Sequence, residues 1–208
     1  LNGQRILFGW VPTKENSDDH ANFEWAGTFV AHEIYQREDG TLGVKIPDTV
    51  WAAFNEREKI ADFTIDSPYA REEKVVAREC GDLFSFEADV KFCGDPRSFG
   101  VRILESEEKA QAYQFLFHVK ENRYVFEKNP NWPWFGCMNI GLERPIDLNA
   151  GETYHIQIIF DDDIATLYVN GVALNTRAYE KPGDSLSLFV TDGTLEVTNA
   201  SIARGIKA

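Results

Sequence analysis

The sequence lacks the features that mark several large classes of binding protein. It contains no cluster of Lys or Arg, and its net charge is −13, from 34 acidic and 21 basic residues. Nucleic acids and anionic membranes are both bound through basic clusters, so we expect neither nucleic acid nor a membrane as a partner. No apolar run approaches the roughly 20 residues that a membrane-spanning helix requires.

Cysteine is also scarce, which bears on metal and cofactor chemistry. Cys80, Cys93 and Cys137 have no metal-ligand spacing, and we predict that the chain has neither a metal nor a cofactor. Since Cys packs as a small hydrophobe, we interpret all three as buried free thiols. The first residues, Leu1-Asn2-Gly3-Gln4, contain neither an initiator methionine nor a signal peptide, so we expect a fragment of a longer protein.

Helical patterns are nearly absent from the sequence. A single short helix is predicted over residues 48–54, with Asp48 as its N-cap. Elsewhere apolar and polar residues alternate with period two, as in Phe84–Lys91 and Tyr113–Lys120. Strands of this kind bury one face against a second sheet, and 13% of the residues are aromatic, which supplies a large core. The sequence therefore predicts an all-β chain.

Turn signals divide the alternating segments into antiparallel strands. Asn170-Gly171 and Asp192-Gly193 are typical hairpin turns. Asp161-Asp162-Asp163 has two interpretations, a Ca²⁺ site built from carboxylate oxygens or a charged hairpin turn, and we favour the turn.

The first 55 residues differ from the rest of the chain. Four strand-like runs precede the predicted helix: Arg5–Trp10, Trp25–Val30, His32–Gln36 and Thr41–Ile46. Four short strands make one blade of a β-propeller, and such a blade cannot bury both of its faces alone. We therefore divide the chain into a blade and linker (residues 1–55) and a β-sandwich (residues 56–208).

Two stretches carry more specific motifs. The first stretch contains Arg5–Trp10, Trp25-Ala26-Gly27, His32-Glu33-Ile34 and Asp39–Leu42. The second has an aspartate-rich turn and a strand ending in Val-Asn-Gly (Phe160–Gly171), then Thr176-Arg177-Ala178-Tyr179. Together they resemble the end of glycoside hydrolase family 32, which includes invertases, levanases and inulinases. The resemblance implies a concanavalin-like two-sheet antiparallel β-sandwich preceded by a remnant β-propeller blade.

The resemblance also implies a function for the parent protein. The family cleaves fructosides with carboxylates in Asn-Asp-Pro-Asn, Arg-Asp-Pro and Glu-Cys-Pro motifs of earlier blades, and none occurs here in that context. Glu79-Cys80-Gly81-Asp82 imitates one of them before an alternating strand. We therefore expect a non-catalytic C-terminal fragment of an exported enzyme acting on sucrose, levan or inulin. Its sandwich would support the catalytic propeller of the same parent, and the chain alone would be inactive.

Three tryptophans are the candidate sugar-binding residues. Trp10 matches the family's tryptophan that lines the fructose site at the mouth of the propeller. Trp132 and Trp134 flank a proline and suggest either a sugar-stacking platform or indoles that plug the sandwich edge. The platform would make the chain an independent carbohydrate-binding module. A third hypothesis, a self-contained glycosidase, would depend on Glu79 or Glu87.

Overall fold

The structure is a computed structural model that describes residues 3–130 and 142–205. Most of it is antiparallel strand. The strands are β1 (Arg5–Lys14), β2 (Phe23–Gln36), β3 (Leu42–Lys45), β4 (Arg57–Lys59), β5 (Phe63–Ala77), β6 (Leu83–Cys93), β7 (Ser98–Glu105), β8 (Ala112–His118), β9 (Arg123–Asn129), β10 (Glu143–Pro145), β11 (Thr153–Asp161), β12 (Ile164–Val169), β13 (Val172–Arg177) and β14 (Ser185–Arg204). The described helices are the 3₁₀ turns Glu15–Ser17 and Val119–Glu121 and the α-helix α1 (Asp48–Trp51), all too short to cross a bilayer.

Strands β1, β2 and β3 form a separate antiparallel sheet, called here the N-terminal sheet. The runs Trp25–Val30 and His32–Gln36, predicted as two strands, are one continuous strand of 14 residues. Ala31 continues the pairing because it lies opposite Phe8 in the middle of β1. The predicted four-stranded count is therefore wrong, and the described sheet has three strands.

The remaining described strands form one connected ladder that folds into two layers. The long strand β14 passes through both of them. Its first half lies between β5 and β7, and its second half has β6 on one side and first β5, then β4, on the other. The first layer continues from β7 through β8 and β9 to β10, and the second continues from β6 through β11 and β12 to β13. The predicted all-β sandwich is confirmed.

The predicted turn at Asp192-Gly193 is wrong, since β14 continues through these residues. Asp192 has a positive φ of 58°, and the pairing of β14 with β5 shifts register between Thr191 and Gly193. A β-bulge of this kind bends a strand without ending it. The bend therefore takes β14 from the first layer into the second.

The core between the two layers is unusually rich in aromatic rings. Phe92, Phe99, Phe117 and Tyr124 form a continuous run of stacked rings, in which the centroids of Phe99 and Phe117 are 4.7 Å apart. Every one of these side chains is almost completely buried. The alternating segments thus place their apolar residues between the layers, as their period predicted.

The short helix and the cysteines differ in part from their predictions. The α-helix is only four residues long and its N-cap is Pro47, so the prediction of Asp48 as N-cap is wrong. The Asp48 carboxylate lies 3.4 Å from Lys45 Nζ.

Cys80 is buried as predicted, and burial raises its pKa to about 12, whereas Cys93 is only partly buried. Cys137 lies outside the described residues.

Candidate functional site

The three predicted sugar-binding tryptophans have different outcomes. Trp132 and Trp134 lie outside the described residues. Trp10 lies on β1, half-exposed, with its ring perpendicular to that of Trp25 and the two centroids 5.4 Å apart. A Cβ atom at Gly27 would lie 2.8 Å from the Val11 carbonyl oxygen and 3.3 Å from Trp10, so only glycine fits there. The glycine of the Trp-x-Gly motif therefore allows the Trp10 side chain to pack directly on the backbone of β2.

Trp10 belongs to a larger apolar surface, which we call the aromatic face. Phe8 and Trp10 are two residues apart on β1, so their side chains lie on the same side of the sheet. Phe29 on β2 pairs directly with Trp10 and lies on that side too. The exposed fractions are 67% for Phe8, 91% for Trp25 and 77% for Phe29. Exposed apolar side chains grouped on one face in this way mark interaction surfaces.

Other residues of the N-terminal sheet bind the sandwich through a polar interface, which we call the seam. Arg177 on β13 is its first anchor. Its guanidinium donates hydrogen bonds to the backbone oxygens of Val11 and Pro12, at 3.0 and 2.8 Å, and to Thr28 Oγ1 at 2.6 Å. The same group pairs with the Asp163 carboxylate at 2.5 Å. One buried arginine thus joins both long strands of the N-terminal sheet to the sandwich.

The structure distinguishes between the two interpretations of the aspartate-rich segment Asp161–Asp163. Asp162 and Asp163 form the turn between β11 and β12, as the preferred interpretation predicted. The Ca²⁺ interpretation has no support, because no group of three or more acidic, His or Cys side chains in residues 3–130 and 142–205 could hold a metal ion.

The Asn170-Gly171 turn is the second anchor of the seam. Both residues have positive φ, 49° and 73°, which is the backbone of a type I′ hairpin between β12 and β13. The Gly171 oxygen accepts hydrogen bonds from the backbone N–H of Val44, at 2.8 Å, and from Arg37, at 3.1 Å. A Cβ at Gly171 would lie only 2.3 Å from the Tyr35 hydroxyl. The positive φ therefore favours glycine in the turn, and a larger residue would also displace the Tyr35 hydroxyl.

His32 on β2 is the third anchor and is buried against β12. Asn175 Nδ2 lies 3.0 Å from His32 Nε2, and because an amide NH₂ only donates, Nε2 accepts this bond. The proton therefore resides on Nδ1, which donates to the Tyr168 hydroxyl at 2.7 Å. Burial lowers the pKa of His32, consistent with this neutral ring.

Asp19, in the loop between β1 and β2, is the fourth anchor. Its buried carboxylate accepts hydrogen bonds from the Tyr113 hydroxyl and from the backbone N–H of Tyr179, the latter at 3.3 Å. Lys128 Nζ lies 3.6 Å away. The Tyr179 hydroxyl in turn accepts a hydrogen bond from the backbone N–H of Lys14 at 2.8 Å. Sequence reasoning did not single out Asp19, because an isolated aspartate in a loop carries no local signal.

The self-contained glycosidase hypothesis depends on Glu79 or Glu87, and the structure gives Glu87 and its neighbour Asp89 on β6 partners within the sandwich. Glu87 lies 3.0 Å from Arg57 Nε, and Asp89 accepts hydrogen bonds from His155 and Asn199. Burial acts to raise the pKa of Asp89, but these hydrogen bonds outweigh it, and the pKa is lowered. A general acid in a glycosidase needs a raised pKa instead. Glu79 is exposed in a backbone segment of positive φ.

Comparison with known structures shows where this fold occurs. The chain is similar to a fructosyltransferase from A. japonicus, with a TM-score of 0.75 and 17% identity over 98% of this chain and 40% of that one. It is also similar to fructan 1-exohydrolase IIa from Cichorium intybus, with a TM-score of 0.72 and 12% identity over 99% of this chain and 46% of that one. The chain thus spans less than half the length of these enzymes.

A smaller protein matches only part of the chain. The carbohydrate binding module CBM66 from Bacillus subtilis matches 71% of this chain and 94% of its own, with a TM-score of 0.55 and 15% identity. At such identities the likeness concerns the fold. No curated protein sequence matches the chain. Residues 53–204 match the family model described as glycosyl hydrolases family 32 C terminal, and the chain therefore belongs to that family.

Proposed function

We propose that the chain is the non-catalytic C-terminal part of a glycoside hydrolase acting on fructosides such as sucrose, levan or inulin. Residues 1–55 would form the last blade of its catalytic propeller, and residues 56–208 the sandwich that holds this blade in place. The observation that carries the proposal is the N-terminal sheet itself, which has an aromatic face open to solvent and a polar seam with the sandwich.

The aromatic face supports the proposal because it is unsuited to permanent exposure. Burying apolar surface contributes roughly 25 cal/mol per Å², so a neighbouring blade packed on Phe8, Trp25 and Phe29 would gain several kcal/mol. A three-stranded sheet with one covered side is the expected remainder when such a neighbour is removed. The similar enzymes support the same interpretation, since they match the chain including this sheet and are more than twice its length.

The seam is evidence that the sandwich holds the N-terminal sheet in position. Its anchors combine charged, buried and backbone hydrogen bonds, which fix an orientation more strictly than apolar contact does. They hold β1, β2 and β3 at separate points through Arg177, His32 and Gly171. In the complete enzyme this arrangement would hold Trp10 in a defined position at the mouth of the propeller.

Activity measurements test the proposal. The purified 208-residue chain should release no fructose from sucrose, levan or inulin, whereas the protein translated from the complete reading frame should do so. Arg177→Met in the complete protein should lower its melting temperature and its activity together. Fructose release by the 208-residue chain at a rate comparable to that of the complete protein would exclude the proposal.

The second candidate function is an independent carbohydrate-binding module, and the likeness to CBM66 over 94% of its length favours it. Trp132 and Trp134 would then form the sugar-stacking platform. Titration of fructans against tryptophan fluorescence checks this candidate. The response should be lost in Trp132→Ala and Trp134→Ala if these side chains bind the sugar, and unchanged if they do not.

A further inference from the structure

A groove of about 550 Å³ lies on the outer side of the first layer, and we call it the outer groove. Along β8, Gln114, Leu116 and His118 line it, while the residues between them point into the core. The neighbouring strands contribute further lining residues, among them Arg71 from β5 and Glu127 from β9. Its volume is in the range of pockets that hold small organic ligands.

Three polar side chains cross the outer groove in a fixed order. Arg71 donates to Gln114 Oε1 at 2.9 Å, and Gln114 Nε2 donates to Glu127 Oε1 at 2.5 Å. Gln114 is only 3% exposed, so its amide cannot turn away from these partners. Arg71 is held in place from the other side, because its guanidinium stacks on the Phe189 ring at 3.5 Å from the centroid.

The hydrogen-bonding capacity of this row is not fully used within the described part of the protein. Arg71 Nε is buried and has no hydrogen-bond partner there. Burial lowers the pKa of Arg71 to about 10, yet no described carboxylate lies within ion-pair distance of it. A buried polar group without a partner is costly, and a bound water, ion or ligand relieves that cost.

The charges around the outer groove favour a neutral ligand. Arg97 is already paired with Asp192 at 2.8 Å, and Lys128 is paired with Asp19 and Glu180. Apart from His118, the charged side chains left for a ligand are the cationic Arg71 and the anionic Glu127, whose charges cancel. An anion bound to Arg71 would lie beside the Glu127 carboxylate on a protein with a net charge of −13.

The chemistry of neighbouring hydroxyl groups matches this arrangement. Each hydroxyl both donates and accepts, so adjacent hydroxyls can accept from a guanidinium and donate to a carboxylate at the same time. Leu116, between Gln114 and His118 on the same side of β8, offers an apolar contact for the carbon atoms of a sugar ring. We propose that the outer groove is a binding site for a neutral saccharide, with Arg71 and Glu127 contacting adjacent hydroxyl groups and Gln114 orienting both.

The proposed site goes beyond support of the propeller. It needs neither the aromatic face nor Trp132 and Trp134, so it can exist whether or not the propeller proposal is correct. In the complete protein, groove variants are expected to leave the hydrolysis of sucrose unchanged.

Isothermal titration of the 208-residue chain tests the site, with 1-kestose, levan oligosaccharides and maltotriose as neutral probes and sodium sulfate as the anionic probe. At least one neutral saccharide should bind, and sulfate should neither bind nor compete. Glu127→Gln keeps the size of the side chain but removes a charged acceptor, and Arg71→Lys removes the planar fork. Each should weaken binding about tenfold or more.

Matched controls are available on the same sheet. Glu143→Gln and Arg123→Lys alter a surface ion pair between β10 and β9 outside the outer groove, and binding should stay unchanged in both. Melting temperatures establish that all four variants are folded. The site is excluded if no neutral probe binds at millimolar concentration, if sulfate displaces the sugar, or if folded groove variants bind like the wild type. Loss of binding only in Trp132→Ala and Trp134→Ala would also exclude it and would assign the sugar to that platform.

Discussion

The two sheets that make up the molecule use the same kind of residue in opposite ways. The sandwich buries its aromatic rings, and the twelve largest fully buried side chains of the described residues all belong to it. In the N-terminal sheet the large apolar side chains are mostly exposed, and the sheet carries nine of the eleven exposed ones among described residues. The sandwich therefore contains its own core, whereas the N-terminal sheet has an ordered place on the sandwich and no described residue covers its other face.

We expect the largest effect on stability in the sandwich core, because this core should be the main source of the stability of the chain. Phe99→Ala removes a ring from the stacked aromatic run and should lower the free energy of unfolding by about 3–5 kcal/mol. Urea denaturation followed by circular dichroism measures this loss. A change below 1 kcal/mol would mean that the core tolerates the cavity and that the contrast between the sheets is overstated.

A smaller and more local effect is expected at the seam. Arg177→Met leaves the Asp163 carboxylate and two backbone oxygens of β1 without their donor, so the N-terminal sheet should open more easily by about 3 kcal/mol. Amide hydrogen exchange should show lost protection in β1 and β2 and unchanged protection in β7 and β8. Arg123→Met, on the exposed β9–β10 pair, is the control. An equal loss of protection in both sheets would show that they unfold as one unit.

The pH dependence of the seam should follow His32. Its pKa is lowered by burial, so the unfolded chain takes up the proton first as pH falls below the ordinary value of 6.5. Stability from the neutral ring is thus present above pH 6.5 and is lost as pH falls toward the lowered folded-state pKa, by about 1.4 kcal/mol per pH unit at most.

Exchange protection factors of β2 at pH 7.5 and 5.5 measure this loss. His32→Gln, which cannot titrate, should show a smaller difference between the two pH values. An identical pH dependence in wild type and His32→Gln would assign the effect to other groups.

The smallest effect is expected on the aromatic face. Phe29→Ser in the 208-residue chain should change the free energy of unfolding by less than about 0.5 kcal/mol, because the side chain is 77% exposed. Binding of the dye ANS, which reports accessible apolar surface, should fall. A loss comparable to that of Phe99→Ala would mean that Phe29 is buried within the chain in solution.

The sequence predicted those parts of the fold that depend on local periodicity. Alternation located β6 and β8, and Asn170-Gly171 located a hairpin. The prediction of a turn at Asp192-Gly193 was wrong because the same local signal also fits a β-bulge. The pairing of β14 with β5 keeps the strand continuous there. Ala31 was likewise not recognised as a strand residue, since its partner lies on another strand.

The seam was beyond local reasoning for a related reason. His32 and Arg177 drew attention only as parts of family motifs and Asn170 also as a turn residue, and their contacts join residues more than 130 positions apart. Periodicity and spacing give no information about such pairs. The structure gives three motif residues a physical role, because His32, Gly171 and Arg177 all make contacts between the N-terminal sheet and the sandwich.

The most direct test of the central claim is the exposure of the aromatic face in the complete protein. Acrylamide quenching of tryptophan fluorescence can be compared between the 208-residue chain and the protein translated from the complete reading frame, each with Trp25→Phe as reference for the Trp25 signal. We predict that Trp25 is quenched readily in the 208-residue chain and is protected in the complete protein, because another blade covers it. Equal quenching of Trp25 in both proteins would contradict the account.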